Sequence, residues 1–210
     1  MAETERPPET ARIEAVFFDI GNVLLRFDPR AAAAKIAWAV RRHPIKIMRY
    51  LLDSNAVDDV ERGKLTGQQL YAMFQTELGF QGSYAAFVKL FCDHFTLQRA
   101  NFALLQRLTR NKKVYLLSNT NALHYEFIQQ RYTFPQQVHG AVLSHEVGAR
   151  KPEPAIYAAA VKLAGVPAES CLFIDDLKEN VEGARRFGLR AIHHPKGHDL
   201  RAALAELGLL

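Results

Sequence analysis

The stretch Val16-Phe17-Phe18-Asp19-Ile20-Gly21-Asn22-Val23-Leu24-Leu25 decides the fold. A short apolar run ends at one carboxylate, glycine and asparagine follow at once, and apolar residues then resume. Such a run, bounded by a turn signal, predicts a fully buried strand of the kind found in parallel sheets. Asp19 then falls at the strand's carboxyl end, where open α/β sheets place their ligand crevice. Gly21 and Asn22 let the backbone turn sharply there. On this stretch alone Asp19 is either a nucleophile or metal ligand delivered to a crevice, or a cap for the next turn.

Beyond it the composition turns helical. Asp28-Pro29 has the form of a cap followed by proline at the first helical position. Helices are predicted over 31–42, 45–52, Gly67–Leu78 (capped by Thr66, ended by Gly79) and 84–95 (capped by Ser83). Trp38, Phe74, Phe87 and Phe91 recur at helical spacing and are expected to form this block's own core. From residue 98 onward the pattern alternates. Strands are predicted over 114–117, 141–143, 171–174 and 190–192, with helices around 102–108, 122–130, 153–164, 181–187 and 200–207. Strands separated by helices mean βαβ units. The expected fold is therefore α/β, with a Rossmann-like, mainly parallel sheet core in residues 1–28 and 98–210. Residues 29–97 form an all-helical insertion just after the first strand, beside the predicted crevice.

The chain has 210 residues and 49% apolar content, enough for one substantial core with an insert. No apolar run approaches the roughly 20 residues that cross a bilayer, and residues 1–12 read as a polar tail without a signal peptide's apolar centre. Cys92 and Cys171 have neither metal nor redox spacing and fit two buried thiols in a reducing cytoplasm. The formal charge is +5, but lysines and arginines are scattered, which argues against nucleic acid and suits a small anionic substrate. No dinucleotide fingerprint or nucleotide phosphate loop occurs. A monomer and a homodimer are equally compatible with the sequence.

Four strand ends or exits carry polar groups: Asp19, Ser118, Lys151 and the pair Asp175-Asp176. Parallel strands present their carboxyl ends along one edge, so these groups can converge. Singly, each has a bland reading: Ser118-Asn119-Thr120-Asn121 as a helix cap, Lys151 as a solvated loop residue, Asp175-Asp176 as another cap. His193-His194 reads as a surface pair, with zinc binding as the remote alternative.

Taken together, the chain resembles the haloacid-dehalogenase superfamily over nearly its full length. The matching motifs are Phe18-Asp19-Ile20-Gly21-Asn22, Leu117-Ser118-Asn119-Thr120-Asn121, Arg150-Lys151-Pro152-Glu153 and Ile174-Asp175-Asp176 with Asn180-Val181-Glu182-Gly183-Ala184. The helical insertion is similar to the family's mobile (C1-type) cap. The wording of the motifs resembles most the bacterial α-D-glucose-1-phosphate phosphatases and the phosphatase domain of epoxide hydrolases.

The resemblance implies a Mg²⁺-dependent phosphatase acting on a small phosphorylated metabolite, such as a sugar phosphate. It implies Asp19 as nucleophile and metal ligand, and Asp176 as metal ligand with Asp175 acting directly or through water. It gives the Gly21 carbonyl to the metal, and Ser118, the amide of Asn119 and Lys151 to the phosphoryl oxygens. One departure stands out. Many family phosphatases carry an acid/base aspartate two residues after the nucleophile, and here that position is Gly21. General acid–base catalysis contributes about 10²–10⁴-fold. Its loss points to a better leaving group, to a metal-bound water, or to another proton source, for which His124 is a candidate against its plainer reading as a helix-surface residue. A metal-free haloacid-type dehalogenase leaves the acidic pair without a purpose. A non-catalytic binding protein of this fold is the third reading, suggested by Gly21.

Overall fold

The computed structural model of the protein describes residues 12–210, so the expected tail lies outside them apart from Arg12. Seven strands occur in the described chain: β1 (Ala15–Phe18), β2 (Leu25–Arg26), β3 (Thr96–Leu97), β4 (Lys113–Ser118), β5 (Ala141–Leu143), β6 (Cys171–Asp175) and β7 (Arg190–His193). Five form one sheet in the order β5-β4-β1-β6-β7, with every pairing parallel. The opening strand is thus central, and it is buried at all four positions. Its alternation divides the core between the two faces. Val16 and Phe18 pack on one side with Leu104, Leu105 and Leu204. Ala15 and Phe17 pack on the other with Ile156, Tyr157 and Ala184.

Register places the chemistry. Phe18 is level with Leu116 on β4 and with Ile174 on β6. One residue further on, Asp19 N–H donates to the Ile174 carbonyl at 3.0 Å. Asp19, Ser118 and Asp175 therefore leave three adjacent strands at the same edge.

Between β2 and β3 run five helices: α1 (Pro29–Ala39), α2 (Pro44–Asp53), α3 (Ala56–Glu61), α4 (Gly67–Leu78) and α5 (Tyr84–Cys92). Their caps follow local sequence rules. The Asp28 carboxylate accepts from Arg30 N and Ala31 N, and Thr66 with Gln69 makes a reciprocal capping box. Ile36, Leu70, Phe74 and Phe87 fill a separate apolar cluster. Trp38 was expected in that cluster and is not there: it is 86% exposed at the end of α1. Helical spacing assigns a face, and Ala33, Ile36 and Ala37 occupy the inward one. The ribbon β2–β3, antiparallel with Leu25 opposite Leu97, joins the helical block to the sheet. Two-residue strands carry no alternation signal, so this ribbon was not predicted. The helix predicted over 84–95 accordingly ends early, at Cys92.

The remaining helices are α6 (Arg99–Leu108), α7 (Ala122–Arg131), α8 (Ser144–Val147), α9 (Pro154–Ala164), α10 (Lys178–Phe187) and α11 (Leu200–Glu206). Both cysteines are buried thiols. No helix among the described residues is long and apolar enough to cross a membrane.

Candidate active site

Lys151 is the hub. It sits in a loop after β5 and α8, yet its side chain is only 1% exposed. Its ammonium lies 2.8 Å from Asp19 Oδ1, donates to Asp175 Oδ2 at 2.7 Å and donates to the Leu117 carbonyl at 3.1 Å. Burial alone would favour neutral lysine; the carboxylates of Asp175 and Asp19 outweigh it and hold the ammonium charged. The loop is fixed from below. Asn119 Nδ2 donates to the Lys151 carbonyl at 3.0 Å, and Lys151 N–H donates to Asn119 Oδ1 at 2.8 Å. Gly183 on α10 lets Pro152 approach: a Cβ there would lie 2.6 Å from Pro152 Cβ. The bland reading of Lys151 as a solvated loop lysine is therefore set aside.

Three carboxylates crowd the same edge. Ligand oxygens of Asp19, Asp175 and Asp176 lie within 4.8 Å of one another, an all-oxygen set of the kind hard divalent cations prefer. Asp175 is fully committed to the protein: Oδ1 accepts from Leu177 N–H at 2.8 Å, and Asn180 Nδ2 reaches both oxygens at 3.0 and 3.1 Å. Asp176 is partly exposed and takes a hydrogen bond from the Asn22 side chain. Burial raises the affinity of Asp19 for a proton, Lys151 opposes this, and Asp175 and Asp176 add to it, leaving Asp19 well above the usual carboxylate range. Burial and Asp175 push Asp176 the same way. Asp19 Oδ1, despite its contact with Lys151, has no aligned hydrogen-bond donor. Crowded, partly orphaned carboxylates of this kind fit a divalent cation, which takes the place of the proton.

A family model described as haloacid dehalogenase-like hydrolase matches residues 13–188. The chain belongs to this family. Among curated relatives it is 31% identical over 192 residues to phosphatase MT3486 of Mycobacterium tuberculosis, covering 85% of this chain and 86% of the relative. It is 26% identical to D-ribitol-5-phosphate phosphatase of Bacteroides thetaiotaomicron (91% and 97% covered) and 24% identical to sesquiterpene phosphatase astK of Aspergillus oryzae (86% and 89%). It also matches drimenol cyclase drtB of Aspergillus calidoustus at 26% identity, but spans only 36% of that longer protein. The crystal structure of a haloacid-dehalogenase-family enzyme from Bacteroides thetaiotaomicron shares the fold, with a TM-score of 0.82 at 23% identity over 92% of this chain and 98% of that one.

Other residues of this hydrolase sit where the sequence did not suggest. His124 is half-buried and is not a free proton donor. Its Nε2 lies 3.0 Å from the Phe91 carbonyl, its Nδ1 lies 3.1 Å from Asn121 Nδ2, and its ring stacks on Phe91 at 4.6 Å. Burial pushes its pKa down to about 4, so it is neutral at neutral pH with both nitrogens engaged. His193 and His194 are not a surface pair either. His193 Nε2 contacts the Asp176 carbonyl at 3.0 Å, and His194 is buried against Asn101. The side-chain amide of Asn119 is spent on Lys151. Asn22, three residues past Asp19, bonds across to Asp176, and Asn180, five residues past Asp175, holds Asp175; their place in the quoted motifs was the signal available.

Two cavities flank the site. One, of about 720 Å³, is polar and reaches Asp176, Asn22, Gln98 and His198. The other, of about 310 Å³, lies between the helical block and the sheet edge. It is lined by Ile36, Val60, Leu70 and Phe91 from the block and by Ile20 and Asn119, which directly follow Asp19 and Ser118. Beside it, an ion-pair cluster ties α3 to the Lys151 loop. Arg62 pairs with Asp58 at 2.7 Å and with Glu153 at 2.5 Å, and Arg150 lies 2.7 Å from both Asp58 and Glu61. At position 63 a Cβ would overlap the His145 carbonyl of α8, and the backbone is left-handed (φ +69°), so only glycine fits this close approach.

Proposed function

We propose that the chain is a Mg²⁺-dependent phosphatase that hydrolyses small phosphate monoesters through a phosphorylated Asp19. The carrying observation is the buried Lys151 ammonium held between Asp19 and Asp175, with Asp176 beside them. A phosphate ester is a polyanion, so a carboxylate attacks it only where positive charge has been assembled in advance. Lys151 supplies one such charge and orients Asp19 by ion pairing. Asp19, Asp176 and the Gly21 carbonyl would hold Mg²⁺, which when bound supplies the second charge. Asp175, with both oxygens occupied, acts chiefly as the anchor of Lys151. Ser118 and the backbone amide of Asn119 are assigned to the phosphoryl oxygens.

In the first step one Asp19 oxygen bonds to phosphorus and the P–O ester bond breaks, its electron pair leaving on the alcohol oxygen. That oxygen takes a proton from water, since Gly21 offers none and His124 is neutral and tied. A second water then cleaves the aspartyl-phosphate, releasing inorganic phosphate and restoring Asp19. Residues 29–97 are assigned the role of a cap over a core of residues 1–28 and 98–210, moving on the β2–β3 ribbon to exclude water. The relatives' names span a sugar-alcohol phosphate and a sesquiterpene phosphate, so kinship supports phosphate-ester hydrolysis without fixing the alcohol. Glucose 1-phosphate, suggested by the motif wording, is one candidate. Buried free thiols are consistent with a cytoplasmic setting.

The test is phosphate release from a panel of monoesters with Mg²⁺. Release that stops with EDTA and returns on adding Mg²⁺ is expected. Release that survives EDTA contradicts the proposal, and halide release from haloacids with no action on esters favours the dehalogenase reading.

A further inference from the structure

We infer that the alcohol part of the substrate is apolar, and that it binds in the cavity of about 310 Å³ between the helical block and the sheet edge. This rests on the phosphatase reading above and names its substrate class. The cavity adjoins the reacting groups, since Ile20 and Asn119 form part of its wall. Its size lies at the lower end of small-molecule sites, about 300–1,000 Å³.

The decisive feature is how few polar atoms are free inside it. Asn119 is bound to the Lys151 backbone. Asn121 caps α7, accepting from His124 N–H at 3.0 Å, and its Nδ2 meets His124 Nδ1. His124 spends its other nitrogen on Phe91. Glu61 is paired, with its Oε2 2.7 Å from Arg150 Nε. Among the described cavity side chains, His94 Nδ1 is buried with neither a hydrogen-bond nor an ion-pair partner, and Thr120 is the one further hydroxyl-bearing residue of the wall. A sugar would bring several hydroxyls into this space, most of them losing their water for no partner, and such unpaired groups are costly to bury. An apolar chain or ring meets Phe27, Phe91, Phe95, Ile36 and Val60 instead. His94 can receive at most one polar group.

The missing acid at Gly21 adds a second constraint. The departing oxygen leaves as an anion and takes its proton from water, so an aryl ester should react faster than an alkyl ester of equal size.

The test is kcat/KM with Mg²⁺ for ethyl, butyl, hexyl and octyl phosphate beside glucose 1-phosphate, with affinities of the same esters for Asp19→Asn measured by calorimetry. We expect kcat/KM to rise about three- to fourfold per methylene, the factor equivalent to about 0.8 kcal/mol, until the cavity is full. Glucose 1-phosphate should fall below hexyl phosphate. Ala33→Leu, which fills the cavity, and Val57→Asp, a half-exposed lining position, should each flatten the series. A flat series in the unaltered protein, or a preference for glucose 1-phosphate, overturns the inference and leaves the phosphatase reading standing. Affinity that grows with chain length but no turnover of any ester keeps the cavity's assignment and removes the phosphatase reading. Neither turnover nor chain-length-dependent affinity removes both.

Discussion

The sheet edge and the face of the helical block that overlooks it are built on opposite terms. At the edge, charges are buried and bonded to one another: Lys151 touches Asp19, Asp175 and the Leu117 carbonyl, and Asn180 and Leu177 secure Asp175 from behind. Across the cavity, the block offers aliphatic and aromatic side chains on short helices. Charges that must be in place before a polyanion arrives need strands and a closed bonding network to hold them. A surface that only shapes the leaving group needs no such network, and can vary while the chemistry stays.

If that contrast is right, breaking the edge should cost most. Lys151→Ala leaves Asp19 and Asp175 buried beside Asp176 without their cation. Such uncompensated burial typically costs about 3–5 kcal/mol. Denaturant unfolding should show a loss of that order, with phosphate release reduced by several orders of magnitude. Stability within about 1 kcal/mol of the unaltered protein would mean the network is not what secures the edge.

The next effect is a gain. A Cβ at position 21 would lie 3.9 Å from Asp19 Oδ2, ordinary contact, on backbone that is not left-handed. Gly21→Asp should therefore fit, and restores the acid of the common family pattern. Turnover of alkyl phosphates should rise by up to about 10²-fold, with aryl esters little changed. An equal change in both would show that leaving-group protonation is not what this position controls.

Much of the edge was legible in sequence because its aspartates and Ser118 follow apolar runs. Strand ends in a parallel sheet converge whatever the loops do, so Asp19, Ser118 and Asp175 could be brought together from pattern alone. Lys151 was harder, since it follows the four-residue helix α8, which has no periodicity to read. What the pattern could not carry lay in pairs of residues far apart in the chain. The Arg62–Glu153 and Arg150–Asp58 contacts join positions about ninety residues apart. The burial of His124 depends on the Phe91 carbonyl arriving from another helix. Trp38 shows the converse limit: a large apolar residue near the end of a helix, with small alanines beside it taking the buried face.

A smaller effect should appear on acidification. Burial lowers the pKa of His124, and of His94 with Lys35 adding to it, from the ordinary 6.5 to about 4. Between those values the unfolded chain binds protons that the folded chain refuses. Their contribution to stability is therefore fully present above about pH 6.5 and is lost as pH falls through about 4. Asp19 and Asp176, held above the ordinary carboxylate range, take up protons over the same window and work the other way, so the check is a difference: in thermal melts from pH 7 to 4.5 the unaltered protein should lose stability relative to His124→Gln. An identical slope in the variant would place the acid sensitivity elsewhere.

Smallest of all is the ion-pair cluster between block and edge. Its members are partly exposed, and such pairs contribute about 0–1 kcal/mol each. Arg62→Ala should change stability by about that much, and should make kcat/KM less sensitive to added salt than in the unaltered protein. Unaltered salt dependence would remove the cluster from the proposed cap closure.

The central claim is that Asp19 accepts the phosphoryl group. The direct measurement is acid quench of the Mg²⁺-loaded protein during turnover, borohydride reduction of any acyl phosphate, and peptide mass analysis. Reduction should convert Asp19, and no other carboxylate, to homoserine. An unmodified Asp19 during steady turnover, or a phosphoryl group recovered on Ser118, His124 or Asp176, would contradict it.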